Sequence, residues 1–157
     1  MAGRRPGPKG AITAPPLDFS DLPAPGWERI VEFAQRYLKV PKGVGAKEPF
    51  RLRDWQIDIV KAMFPMEGGR PRQGLVSLPR GNGKTGLAAV LAVYALFADE
   101  QEGGQVLVVA SDERQAGHVY RAAKRMIETS PLLDEQTHFY ADRIHVPHTD
   151  SVMWKLL

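Results

Sequence analysis

The sequence predicts an α/β fold, a parallel sheet flanked by helices, and three observations predict it. A short apolar run, Gly74 to Leu78, enters a Gly-rich loop that ends in Gly83-Lys84-Thr85. A long apolar helix candidate, Gly86 to Ala98, opens from that loop. Then Gln105-Val106-Leu107-Val108-Val109-Ala110 gives a Val/Leu run without alternation, as expected of a strand covered on both faces in a parallel sheet. Strand, helix, strand in this order is a βαβ unit, expected to be right-handed.

The loop, Leu78-Pro79-Arg80-Gly81-Asn82-Gly83-Lys84-Thr85, sits where phosphate binding needs it. Backbone N–H groups of a tight loop and of a helix N-terminus point at an anion. Gly81 and Gly83 permit positive φ and close approach of backbone to phosphate. Lys84 is placed to reach phosphate oxygens, and the Thr85 hydroxyl to hold Mg²⁺. The pattern G-x-x-x-x-G-K-[ST] is incomplete, because its first position is Leu78. A β-to-α turn with a solvated lysine is the simpler alternative.

The chain has 157 residues, 43% of them apolar, enough for one domain or a piece of one. Its net charge of +3 and pI of about 9.3 permit a polyanionic partner without demanding one. The absence of cysteine excludes disulfides and thiolate zinc sites. No apolar run reaches the ~18 residues of a membrane span, and no signal-peptide core is evident, so a cytoplasmic protein without membrane attachment is expected.

Residues 1–25 are rich in Pro, Gly and Ala with early basic residues, the composition of a disordered basic tail. Trp27, Ile30, Val31, Ala34, Tyr37 and Leu38 then form a helical stripe. A Gly/Pro/Lys loop, Pro41 to Pro49, ends it. In Leu52-Arg53-Asp54-Trp55-Gln56 and the residues to Phe64, Trp55, Ile59 and Met63 share a helix face. The amide of Gln56 has the donor and acceptor that adenine N7 and N6 require. On an exposed helix face the same glutamine would need no ligand. Residues 65–72 are a loop. Past Ala110, Asp112 and Gln115 have capping-box spacing at the start of a helix that runs to about Glu128. Arg114, His118, Arg121 and Arg125 share its polar face, a line fit for a DNA backbone or simply for water. Ser130-Pro131 breaks the helix, and Arg143–Val146 with Val152–Leu156 reads as a short hairpin. His145 and His148 lack a third partner and are not read as a metal site.

Nucleotide hydrolysis needs one acidic residue for Mg²⁺ and another for water. Two acidic pairs follow the loop. Asp99-Glu100 ends the loop helix and lies too close to Lys84. Asp112-Glu113 follows a strand but occupies a helix start, where an N-cap is expected.

At this point the residues resemble a family. Leu78-Pro79-Arg80-Gly81-Asn82-Gly83-Lys84-Thr85 is similar to the deviant phosphate loop of tailed-phage terminase large subunits, Leu52-Arg53-Asp54-Trp55-Gln56 to their adenine-binding stretch, and Ala110-Ser111-Asp112-Glu113-Arg114-Gln115-Ala116 to the segment after their second strand. The resemblance covers about residues 26–157. It implies a P-loop NTPase fold of the RecA-like, additional-strand class, incomplete here and ending in a short hairpin. It places residues 26–157 in the N-terminal part of an ATPase domain that stops before the acidic strand motif and the nuclease domain. It implies ATP and Mg²⁺ as cofactors. Residue by residue, Lys84 binds phosphate and acts in catalysis with Arg80, which stabilises the γ-phosphate. Thr85 holds the metal. Gln56, Gly81, Asn82, Gly83, Lys84 and Thr85 hold the nucleotide. Double-stranded DNA, a terminase small subunit, a portal protein and a homo-oligomeric ring are the implied partners, and packaging of DNA into procapsids the implied work. A superfamily 2 helicase or restriction translocase shares the glutamine and the loop. A non-catalytic remnant or interaction module is the third alternative. In the family's sheet the strands either side of the loop helix are not neighbours, so unpaired edges and low stability are expected of this piece.

Overall fold

A computed structural model describes residues 10–81 and 83–156. The element order is α1 (Trp27–Tyr37), α2 (Asp54–Met63), α3 (Lys84–Phe97), β1 (Gln105–Val109), α4 (Glu113–Glu128), α5 (Pro131–Asp134), β2 (His138–Phe139), β3 (Arg143–Val146) and β4 (Ser151–Leu156). The fold is α/β, with a four-stranded mixed sheet in the order β1-β4-β3-β2. Only β1 and β4 run parallel, with Leu107 opposite Trp154 and Val109 opposite Leu156. The expected hairpin forms as β3–β4, with Ile144 opposite Met153, and joins β1 instead of standing apart.

Alternation along the strands decides what the sheet covers. Ile144, Val146 and Met153 are buried with Phe139 in the core that α3 and α4 complete. The opposite face is open among the described residues: Leu107 is 53% and Val109 67% exposed. The expectation of a strand covered on both faces is corrected here. An unbroken Val/Leu run shows which residues tolerate burial, not whether a second layer is present to bury them.

A second correction concerns Gly74–Leu78. These residues form no strand, and Leu75 is 96% exposed. A strand exists only through a partner's hydrogen bonds, and among the described residues Gly74–Leu78 pairs with no strand. The predicted βαβ ladder is therefore replaced by a segment without strand pairing that leads into α3.

Helix α3 is the centre of the molecule. Leu87, Ala89, Val90, Val93, Tyr94, Leu96 and Phe97 are all buried, as an all-round apolar helix requires. Helix α1 packs beside it through Ile30, Phe33 and Ala34, with the Phe33 and Tyr94 rings edge to face at 5.8 Å. The predicted stripe on α1 is confirmed, with Phe33 added. In α2 the buried residues are Gln56 and Val60, whereas Trp55, Ile59 and Met63 are half-buried.

The tail expected over residues 1–25 is corrected for its second half; residues 1–9 lie outside the described residues. Leu22 is buried, and Phe19 meets the rings of Phe33 and Tyr37. The buried Arg29 donates to the carbonyls of Phe19 and Pro23 on this segment and of Ala98 at the end of α3. Composition missed this because two aromatic or aliphatic anchors and a run of backbone carbonyls are enough to hold a Pro-rich segment.

Candidate functional site

The site is built at the N-terminus of α3. Gly83 is the residue before the helix, at φ 83° and ψ 21°. Gly81 has φ 81°. Both values lie in the left-handed region that a side chain makes costly. The two glycines therefore turn the chain out of the extended segment and directly into the first turn of α3, leaving that turn's N–H groups facing outward. Lys84 and Thr85 occupy the turn and are exposed. Lys84 Nζ donates to the Leu78 carbonyl at 2.9 Å, so the ammonium reaches back over the loop. Arg80, four residues before it, is exposed. Asn82 lies outside the described residues.

Gln56 arrives from a separate element. It is buried, at 4% exposure, so the alternative of a solvated glutamine does not hold. Its Oε1 accepts from the Arg53 backbone N–H at 2.9 Å, a capping contact that fixes the amide's orientation and leaves Nε2 on the other side. A Cβ placed on Gly83 would meet Gln56 Nε2 at 3.5 Å and the Trp55 ring at 3.9 Å. The amide donor thus lies against the loop.

The acidic candidates are engaged elsewhere. Asp99 forms a two-point ion pair with Arg70, at 2.7 and 3.2 Å, and this bond holds the Arg70 proton more firmly than usual. Asp112 Oδ1 accepts from the Gln115 N–H at 2.8 Å, the N-cap of α4. Glu113 pairs with Lys155 at 3.3 Å. Among the described residues no group of three His, Asp or Glu side chains is arranged to hold a metal. His145 pairs with Asp150, and His148 contacts the Ala14 carbonyl. No described helix is long and apolar enough to cross a membrane.

A model of the family "Terminase large subunit, ATPase domain" matches residues 54–156. The chain belongs to this family. The large terminase subunit of Enterobacteria phage HK97 is 31% identical over 112 residues, 71% of this chain and 22% of the phage protein. The crystal structure of the HK97 bacteriophage large terminase matches with a TM-score of 0.72 and 27% identity, over 83% of this chain and 27% of that one. The chain spans about a quarter of the length of these relatives. In this terminase ATPase chain, sequence reasoning missed the Arg53 N–H that orients Gln56 and the Arg70–Asp99 pair. The first is a backbone group with no sequence signal. The second joins residues 29 apart, and only the run of acids at the end of α3 hinted at it.

Proposed function

We propose that this chain is the ATP-binding part of a viral DNA-packaging motor that drives double-stranded DNA into procapsids. In the whole protein it works in a homo-oligomeric ring with a terminase small subunit and a portal protein, in the cytoplasm of the host. The observation that carries this is the meeting of a buried, oriented glutamine with a two-glycine loop at a helix N-terminus, within the span that the family model matches. The residues fit Mg-ATP: positive φ at Gly81 and Gly83 opens the loop backbone, and Lys84 and Thr85 are exposed in the first turn of α3. The Gln56 donor stands at the loop's edge for adenine N7. Bound Mg²⁺ would neutralise phosphate charge. Gly81, Asn82 and Gly83 would cradle the phosphates, Lys84 would pair with them, and Thr85 would hold the metal through its hydroxyl. Arg80 would offer a guanidinium to the terminal phosphate, where charge accumulates during transfer.

Lys84 has a task before any ligand arrives, since its bond to the Leu78 carbonyl must be exchanged for one to phosphate. A charge-assisted hydrogen bond contributes about 1.5–3 kcal/mol, so Lys84→Ala should weaken Mg-ATP binding ~10- to 100-fold in calorimetry. Turnover by the chain alone should be absent, because Asp99 and Asp112 are both engaged. If neither protein binds Mg-ATP, the phosphate loop is vestigial and the reading fails.

A further inference from the structure

Exposed positive charge is concentrated on α4 and the loop after α1, and what it would bind rests on the packaging reading above for its biological setting alone. Arg114, Arg121 and Arg125 are exposed along one face of α4, with His118 between them. From Arg114 to Arg125 is eleven residues, which at 1.5 Å per residue is about 16 Å of helix. Arg125 Nε donates to the Pro41 carbonyl at 2.6 Å, across 84 residues of chain. That bond lays the loop after α1 against the same face. The loop is closed on itself by Val40 N–H to the Glu48 carbonyl and Lys47 N–H to the Val40 carbonyl. It exposes Lys39, Lys42 and Lys47.

We infer that α4 and this lysine loop together form a docking surface for the phosphate backbone of double-stranded nucleic acid. Of the carboxylates beside Arg114, Glu113 is paired with Lys155, and Asp112 caps α4 with its charge retained. Glu128 at the end of the helix and Glu48 in the loop remain. Six cations against three carboxylates, with the Glu113–Lys155 pair neutral, match the +3 carried by the whole chain, so the positive charge is gathered here instead of spread. A duplex presents one negative charge per ~1.7 Å of axis, hence about ten along the length of the helix face. A row of guanidiniums beside a lysine loop is complementary to that charge, and guanidinium pairs with phosphate through two hydrogen bonds.

The test is fluorescence anisotropy of a labelled 30-base-pair DNA duplex titrated with the full chain at a series of NaCl concentrations. The logarithm of the association constant should fall linearly with that of salt. Arg114→Gln/Arg121→Gln/Arg125→Gln should weaken binding and flatten the slope by about 0.9 for each phosphate no longer neutralised. Lys39→Gln/Lys42→Gln/Lys47→Gln should do the same, and Lys61→Gln/Arg72→Gln, exposed elsewhere, should not. Circular dichroism checks each fold. If the α4 variant loses helix, the lysine-loop variant decides, since its side chains are exposed. Unchanged slopes in the loop variant, or equal losses in the control variant, would overturn the proposal. So would displacement of the duplex by polyglutamate at equal charge. Mg-ATP calorimetry on the same proteins separates the two readings: duplex binding without ATP binding would sink the nucleotide reading and keep this one.

Discussion

At the scale of single residues, the informative ones are those whose partners sequence could not supply. Tyr94 is buried in α3, and its hydroxyl has no hydrogen-bond partner among the described residues. An unpaired buried hydroxyl costs about 1–3 kcal/mol. Tyr94→Phe should therefore raise stability by ~1 kcal/mol in denaturant melts, against the usual sign for a core substitution. Burial also pushes the Tyr94 phenol up to about 12, and the Tyr120 phenol likewise. Both groups keep their proton in the folded chain above pH 10, where the unfolded chain releases it. Stability is thus fully present below pH 10 and falls between pH 10 and 12, by up to about 1.4 kcal/mol per pH unit for each tyrosine. Tyr94→Phe should remove about half of that slope. Asp112 poses a sharper question. If its role is the cap of α4, Asp112→Ala should cost ~1 kcal/mol of stability and leave Mg-ATP affinity unchanged. A loss of affinity with no loss of stability would instead make it a ligand for the metal.

At the scale of elements, local pattern was legible and pairing was not. Helices α1 and α4 could be placed because their apolar residues recur at helical spacing, and α4's N-cap because an Asp stands three residues before a Gln at the right point. The glycines of the loop before α3 were legible because left-handed backbone turns the chain abruptly into a helix. Gln56 stood out by its amide alone, whereas its burial and its anchoring by the Arg53 N–H come from the packing of α2. The segment Gly74–Leu78 has the composition of a strand and lacks the neighbour that makes one. The join of β4 to β1 was invisible because parallel pairing across a helix leaves no local trace. Helix α3 offers the direct test at this scale. Leu96 is fully buried within it, so Leu96→Ala should cost ~2–5 kcal/mol and unfold much of the chain at physiological temperature.

At the scale of the molecule, one sheet face and one strand edge have no cover among the described residues. Leu107 and Val109 on that face, with Leu156 opposite, make an apolar patch beside the unpaired edge of β1. Such edges recruit other chains. Light scattering of the chain should show concentration-dependent association, and Leu107→Lys/Val109→Lys should suppress it while leaving the melting temperature within a few degrees. A sharp, concentration-independent melt of a monomeric wild type would contradict the expected low stability.

The clamp of Arg29 bears on where this molecule can be cut. Its guanidinium is sealed under the Phe19 and Pro23 carbonyls at one end and tied to the Ala98 carbonyl and the Glu100 carboxylate at the other. Trimming the chain to the span matched by the family, starting at Asp54, would remove α1 and the arginine together and strip the cover from Tyr94 and α3. Trimming to Trp27 would keep the cation but discard two of its acceptors and the segment that covers it, leaving the Ala98 carbonyl and the Glu100 carboxylate. The smallest autonomous unit therefore begins upstream of Phe19, in a stretch whose composition looks expendable.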